Sequence, residues 1–178
     1  MNIYVVRHGQ TNWNVEGKVQ GQMDIELNDT GIEQARSLSK NIANENFDVI
    51  ISSDLKRAYK TTQIINENHK LEIQIDKRLR ERGYGDYSGY NKHNMEYEKL
   101  WTYELNYKGD NVEPFVDFVK RVEIFIKDSK STYKGKNVLF VTHGWVARVI
   151  EHMYGNLPIN SLHSYSPSNA SYKKYVIK

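Results

Sequence analysis

The sequence contains no cysteine and only three prolines among its 178 residues. The lack of cysteine excludes disulfide bonds, zinc–thiolate sites and any phosphatase or protease mechanism that needs a thiol nucleophile. It is compatible with the reducing cytosol, so we expect a cytoplasmic protein. No apolar run is long enough to span a membrane, and no signal-peptide pattern precedes the first strand. We therefore expect no membrane partner.

A strong excess of charge of one sign is also missing. Lys and Arg outnumber Asp and Glu by 25 to 22, which gives a net charge of +3. This small, scattered excess suits an anionic small substrate and does not indicate a nucleic-acid partner. The length predicts a single domain over residues 1–178 with a proper core. The sequence leaves open whether the protein is a monomer or a homodimer.

Apolar strands and amphipathic helices alternate along the chain. This alternation predicts a three-layer α/β/α sandwich with a mostly parallel central sheet. We expect strands at Ile3–Val6, Phe47–Ser53, Leu71–Ile75 and Val138–Thr142, the third nearer an edge, and a last strand between Leu162 and Ile177. The helix after the second strand has Ser and Asp available as caps. The aromatic-rich stretch from about residue 84 to 110 predicts a short helical cap over the strand ends.

Residues at the strand ends suit a binding site better than a core. Arg7 and His8 follow the first strand, Arg57 begins the helix after the second, Glu81 follows the third, and His143 follows the fourth. Because right-handed crossovers bring the carboxyl ends of parallel strands to one side of the sheet, we expect these side chains to meet. Two arginines and two histidines suit a phosphate monoester dianion. Taken singly, Arg57 and Glu81 are also explained as solvated surface residues.

Together these motifs resemble the phosphoglycerate-mutase-like branch of the histidine phosphatase superfamily, nearly from end to end. Arg-His-Gly alone would be a weak match. Five motifs that occur in the same order and with compatible spacing are strong evidence for the resemblance. The matching segments are Arg7-His8-Gly9 with Thr11 and Asn14, Gln20-Gly21, Leu27–Gly31, Arg57 within Ser53–Ala58, Arg80-Glu81, Arg121-Val122, Thr142-His143-Gly144 and Asn169-Ala170-Ser171.

The resemblance implies a mechanism as well as a fold. His8 is the nucleophile, its second ring nitrogen is fixed by a backbone carbonyl, and Glu81 is the acid that later activates water. Arg7, Arg57 and His143 clamp the phosphoryl oxygens. The resemblance further implies substrate-binding roles for Gly9, Thr11, Asn14, Gln20, Gly21 and Gly144, and it implies neither a metal nor a cofactor.

Departures from the family pattern lie around the pocket's rim. Ser88 stands where many relatives carry an acid, Gly109-Asp110-Asn111 stands where Gly-Glu-Ser is common, and Trp145 replaces a small residue. None of these changes removes a proposed catalytic group. The remaining histidines match no catalytic position and are interpreted as surface or packing residues: His69, His93, His152 and His163.

Several classes of protein compete as interpretations. A nucleotide-binding fold would show G-x-G-x-x-G or G-x-x-x-x-G-K-[ST], and neither occurs. A metal-dependent phosphatase would need clustered carboxylates, for which the loop residues Asp24 and Glu26 are poor candidates. A mutase would protect its phosphohistidine with more chain in the cap and tail, whereas this cap is short and the last strand ends near Lys178. We therefore predict hydrolysis of a small phosphorylated metabolite, with a phosphoglycerate mutase or a non-catalytic phosphate-binding protein as alternatives.

Overall fold

A five-stranded sheet lies at the centre of the computed structural model, which describes residues 1–94 and 97–177. The strands run in the order β3-β2-β4-β1-β5. Their bounds are β1 Asn2–Arg7, β2 Val49–Ser52, β3 Ile73–Ile75, β4 Asn137–Thr142 and β5 Tyr172–Val176. The pairs β3–β2, β2–β4 and β4–β1 are parallel, and β5 pairs antiparallel with β1. The predicted mostly parallel sheet, with its third strand at an edge, is confirmed.

Helices cover both faces of this sheet. They are α1 Asn12–Val15, α2 Asp29–Asn41, α3 Lys56–Asn66, α4 Tyr97–Trp101, α5 Phe115–Thr132 and α6 Gly144–Tyr154. Successive side chains of a strand point to opposite faces. In β1, Ile3 and Val5 therefore join the core formed with α5 and α6, while Tyr4 and Val6 join the core formed with α2 and α3. The result is the predicted three-layer sandwich.

The start of α3 is capped differently from what the sequence indicates. Leu55 occupies the cap position and its side chain makes no capping hydrogen bond. Instead the carboxylate of Asp24 accepts a hydrogen bond from the Lys56 amide at 2.7 Å. The expectation that the adjacent Ser or Asp caps this helix is therefore wrong, because the loop before α2 supplies the carboxylate from a distant part of the chain.

The cap predicted at about residues 84–110 contains little regular structure in its described part. Short 3-10 turns at Gly85–Tyr87 and Lys92–Asn94 precede α4, and residues 95 and 96 lie outside the described residues. Aromatic contacts fasten the cap to the body, since Trp101 stacks on Trp145 with ring centroids 4.7 Å apart. No helix in the described ranges has the length and apolarity needed to cross a membrane.

Candidate active site

His8 lies just beyond the carboxyl end of β1 and is only 3% exposed. Its Nδ1 is 2.6 Å from the carbonyl oxygen of Gly9, so Nδ1 must carry the proton and donate it. Its Nε2 then holds a lone pair and accepts a hydrogen bond from Arg57 Nε at 3.2 Å. Burial, followed by the positive charges of Arg57 and Arg7, keeps the pKa of His8 well below its ordinary value. The imidazole is therefore neutral, with Nε2 unprotonated.

Arg57 is fully buried in the first turn of α3. Its two terminal nitrogens donate to the carbonyl oxygens of Met23 and Gly21, each at 2.7 Å, so only Nε points to His8. Gly21 presents its carbonyl with φ of +50°, a conformation that favours glycine. Burial lowers the pKa of Arg57 to about 10, which still leaves it charged at neutral pH. The solvated-surface interpretation of Arg57 is therefore wrong.

His143 occupies the N-cap position of α6, where its side chain makes no capping hydrogen bond, and its ring centroid is 5.1 Å from that of His8. Its Nε2 lies 2.9 Å from Ser53 Oγ, which also accepts the Leu55 amide at 3.3 Å. Ser53 Oγ can donate its own proton to His143 Nε2, and in that arrangement the imidazole proton lies on Nδ1. That Nδ1 is buried and has no hydrogen-bond partner among the described residues. Burial also holds the pKa of His143 well below its ordinary value.

Arg7 and Glu81 both lie close to Gly144 at the start of α6. Arg7 Nη1 donates to the Pro167 carbonyl at 2.6 Å, while its buried Nε lacks a partner in the described part of the chain. The Glu81 carboxyl accepts hydrogen bonds from the backbone amides of Arg82 at 3.0 Å and Trp145 at 3.2 Å. Burial nevertheless raises the pKa of Glu81, against the opposing effect of Arg57 and Arg7. This is the direction a general acid needs at neutral pH.

Two of the predicted substrate-binding residues, Gly9 and Thr11, make structural contacts with the surrounding chain. The Gly9 amide donates to Thr61 Oγ1 at 3.1 Å, and a Cβ on Gly9 would lie 2.4 Å from the Gly31 carbonyl oxygen. Thr11 caps α1 and donates to Asn14 Oδ1 at 3.1 Å. Because the amide oxygen of Asn14 is used in this way, its nitrogen is the end left to donate to a ligand.

A cavity of about 890 Å³ opens above these side chains. Most of the predicted site residues line it: Arg7, His8, Asn14, Gln20, Gly21, Arg57, Glu81 and Gly144. His143, Gly9 and Thr11 are not lining residues. The aromatic wall combines body and cap residues, Trp13, Tyr84, Trp101, Tyr103 and Trp145.

Sequence reasoning missed other residues of this site. Arg148 and Asn169 line the cavity, and Asn169 Nδ2 donates to the His8 carbonyl at 3.0 Å. His163, interpreted above as a surface or packing residue, is exposed and also lines the cavity. A periodicity signal could have found Arg148, because it lies one helical turn after Gly144. No group of three or more His, Asp or Glu residues suited to a metal occurs within residues 1–94 and 97–177.

This sandwich, with arginine, imidazole and a buried carboxyl gathered at the strand ends, defines a phosphoryl-transfer enzyme. The sequence matches the family profile described as histidine phosphatase superfamily (branch 1) over residues 3–178. The match extends over nearly the whole chain, and the chain therefore belongs to this superfamily.

Individual relatives narrow the class further. Phosphoglycerate mutase-like protein 4 of Arabidopsis thaliana is 37% identical over 158 residues, which are 82% of this chain and 67% of that protein. Metal-independent phosphoserine phosphatase of Arabidopsis thaliana is 34% identical over 158 residues, 83% and 66% of the two chains. A mutant of phosphoserine phosphatase from Entamoeba histolytica, solved with phosphoserine, superposes with a TM-score of 0.88 at 25% identity, covering 99% of this chain and 91% of that one. Within its superfamily, this chain is a phosphoglycerate mutase-like phosphatase.

Proposed function

We propose that the chain hydrolyses small phosphomonoesters through a phosphohistidine on His8, without a metal ion. The observation that carries this proposal is the state of the His8 imidazole. Its Nδ1 is held by the Gly9 carbonyl at 2.6 Å, and its Nε2 is left as a buried lone pair beside Arg57. A neutral imidazole fixed in this tautomer is an activated nucleophile that needs no separate base.

In the first step, His8 Nε2 attacks phosphorus and the bond from phosphorus to the ester oxygen breaks. Glu81 gives its proton to the departing alcohol oxygen, which becomes a neutral hydroxyl. Arg7 Nε and His143 Nδ1, both buried without partners in the described chain, are the donors we assign to the phosphoryl oxygens together with Arg57 Nε. Asn14 adds a neutral donor from the cavity wall.

In the second step, water replaces the alcohol. The Glu81 carboxylate takes a proton from water, whose oxygen attacks phosphorus while the bond to His8 Nε2 breaks. The products are inorganic phosphate, a reprotonated Glu81 and a neutral His8, so the enzyme returns to its starting state. The relative named as a metal-independent phosphoserine phosphatase supports a small phosphorylated metabolite as substrate. The lack of cysteine supports a cytoplasmic location.

The test is to trap the intermediate. With EDTA present, a phosphate-labelled aryl ester quenched within milliseconds should leave acid-sensitive label on the peptide that contains His8. His8→Ala should abolish both label and turnover. His152→Ala should leave them intact, because that histidine lies at the end of α6 with its Nδ1 on the Leu157 carbonyl. Activity that disappears with EDTA and returns with a divalent metal would overturn the mechanism, as would stoichiometric label elsewhere.

Hydrolysis and isomerisation are separated by a second assay. The enzyme is given 3-phosphoglycerate without a priming bisphosphate, and free phosphate and 2-phosphoglycerate are followed together. We expect phosphate release to dominate. Isomerisation about tenfold faster than phosphate release would instead identify the phosphohistidine as a transfer intermediate that returns its phosphoryl group to a bound acceptor.

A further inference from the structure

Arg121 is a charged residue of α5 that the two chemical steps leave unused. Its guanidinium donates to three backbone carbonyls, at 2.6 Å to Arg78, 3.0 Å to Arg80 and 3.3 Å to Glu81. Its Nε and Nη2 also donate to the carboxylate of Glu113, at 2.8 and 2.9 Å. The side chains of Arg121 and Glu113 are each only 19% exposed, so water screens this ion pair less than a surface pair. Arg121 therefore joins α5 to the segment that carries Glu81.

The segment from residue 80 to 84 belongs to no helix or strand, so other groups must satisfy its backbone. Glu113 supplies two of these contacts. Its Oε2 accepts a hydrogen bond from the Gly83 amide at 2.9 Å, and its own amide donates to the Gly83 carbonyl at 3.0 Å. Together, Glu113 and Arg121 contact the backbone before, at and after Glu81.

A single peptide group connects Arg121 to the Glu81 carboxyl. The carbonyl of Glu81 accepts from Arg121 Nη2, and the amide of the same peptide bond, that of Arg82, donates to Glu81 Oε1 at 3.0 Å. Because a peptide unit is planar, its C=O and N–H point in opposite directions and turn together. A contact that fixes the carbonyl therefore also fixes the direction of the amide that holds the carboxyl.

Arg121 reaches this peptide from a rigid element. α5 spans 18 residues, and its residues Phe118 and Val122, on either side of Arg121, are fully buried. A group carried by a packed helix is placed more precisely than one on a loop. Gln22 also donates to the Glu81 carbonyl, at 3.2 Å, but it lies in the loop before α2 and its amide is neutral. Since a charged donor makes a hydrogen bond about twice as strong, Arg121 is the main support of this peptide.

We propose that Arg121, supported by Glu113, is a positioning residue that holds Glu81 where it can protonate the leaving oxygen. Neither Arg121 nor Glu113 lines the cavity, so both act through the peptide between residues 81 and 82 and not by touching the substrate. This inference rests on the proposed phosphatase function, in which Glu81 is the acid. Loss of Arg121 should therefore weaken acid catalysis and leave phosphate binding intact.

The experiment uses the leaving group to report on the acid. The departing oxygen of glycerol 3-phosphate needs a proton, whereas 4-nitrophenyl phosphate releases a stable phenolate that needs none. Arg121→Met should therefore lower kcat/KM for glycerol 3-phosphate on the order of ten- to hundredfold, but that for 4-nitrophenyl phosphate by only about threefold or less. Glu113→Gln, which turns one acceptor into a donor, should show the same selective loss to a smaller extent. Arg121→Lys keeps the charge without the planar fork and should fall between wild type and Arg121→Met.

A double-mutant cycle tests whether Arg121 acts through Glu81. Adding Arg121→Met to Glu81→Gln should lower kcat/KM for glycerol 3-phosphate by only about threefold or less, because the acid is already lost. Arg78→Met is the matched control, since this arginine also joins the segment to α5 but does so by donating to the carboxylates of Asp76 and Asp128. It should leave the ratio of the two esters within about twofold of wild type.

Equal losses on both esters in Arg121→Met and Glu113→Gln would overturn the proposal, because they would assign the pair to the fold alone. Full additivity with Glu81→Gln would overturn it as well. Circular dichroism checks folding, and if Arg121→Met does not fold, Glu113→Gln and Arg121→Lys decide the outcome. If Glu81→Gln itself loses equally on both esters, or His8 carries no label, the proposed function fails. If Glu81→Gln separates the two esters while the Arg121 and Glu113 variants do not, the proposed function stands and only this inference fails.

Discussion

Arg57 offers a sharp test of the site, because one of its three hydrogen bonds contacts His8 and the other two hold the loop before α2. Nε donates to His8 Nε2 at 3.2 Å, while the terminal nitrogens donate to the Gly21 and Met23 carbonyls at 2.7 Å each. The first bond bears on catalysis and the other two on the loop before α2. Substituting Arg57 should therefore change both the rate and the stability, by separable amounts.

The magnitudes follow from these bonds. A hydrogen bond to a charged group contributes about 1.5–3 kcal/mol, so losing both loop bonds should lower the free energy of unfolding by roughly 3–6 kcal/mol. Removing a donor from developing charge should lower kcat on the order of a hundred- to a thousandfold. Arg57→Lys keeps the charge, but one ammonium cannot reproduce the planar fork, so we expect most of both losses to remain.

The assay measures kcat on an aryl phosphate with EDTA present and the urea dependence of unfolding for Arg57→Lys and Arg57→Met. Arg36→Met is the matched control, since that side chain is 59% exposed and pairs with Glu33 on the surface of α2. Arg36→Met should keep kcat within twofold of the wild-type value and the free energy of unfolding within about 0.5 kcal/mol of it. A folded Arg57 variant within threefold of wild type in kcat would show that this arginine does not stabilise the transition state.

Two further predictions follow from the buried groups. For an alkyl phosphate, kcat/KM should fall at acid pH, where His8 becomes protonated below its ordinary pKa, and should fall again as the pH rises through the raised pKa of Glu81. Glu81→Gln should lose the decrease at alkaline pH. If that decrease is unchanged in Glu81→Gln, another group causes it. Gly31→Ala would place a Cβ 2.0 Å from the Gln10 carbonyl oxygen, so the free energy of unfolding should drop by about 1–3 kcal/mol or more. Gly83→Ala, whose nearest neighbour would be at 3.4 Å, is the control, and equal urea midpoints for the two variants would contradict the packing argument.

The sheet and its strand-end residues could be predicted because their signals are local. Apolar runs mark β1, β2 and β4. The run of β1 is followed by Arg7-His8, that of β2 by Arg57 in the next helix, and that of β4 by His143. The parallel-sheet rule then brings those ends together without any further information. Strand bounds differ by one or two residues from the expectation, as for β2, which begins at Val49 rather than Phe47.

The contacts that fix the side chains could not be predicted in this way, because their partners are far apart in sequence. The Gly21 carbonyl that holds Arg57 lies 36 residues away, and the Ser53 hydroxyl that contacts His143 Nε2 lies 90 residues away. Motif matching also assigned Gly9 to substrate binding, whereas its amide is used by Thr61. A motif records that a residue type is required at a position but not which physical demand requires it.

Burial in this site shifts the pKa values of His8 and Glu81 in opposite directions. Removing water disfavours the charged form of every group, which lowers the pKa of His8 and raises the pKa of Glu81. The arginines reinforce the first effect and oppose the second, because positive charge lowers both pKa values. A phosphate dianion offsets that positive charge when it binds, so the pKa of Glu81 must rise further in the complex than in the free enzyme. The acid is thus strengthened by the arrival of the group it serves, and the alkaline limb of kcat should lie at higher pH than that of kcat/KM.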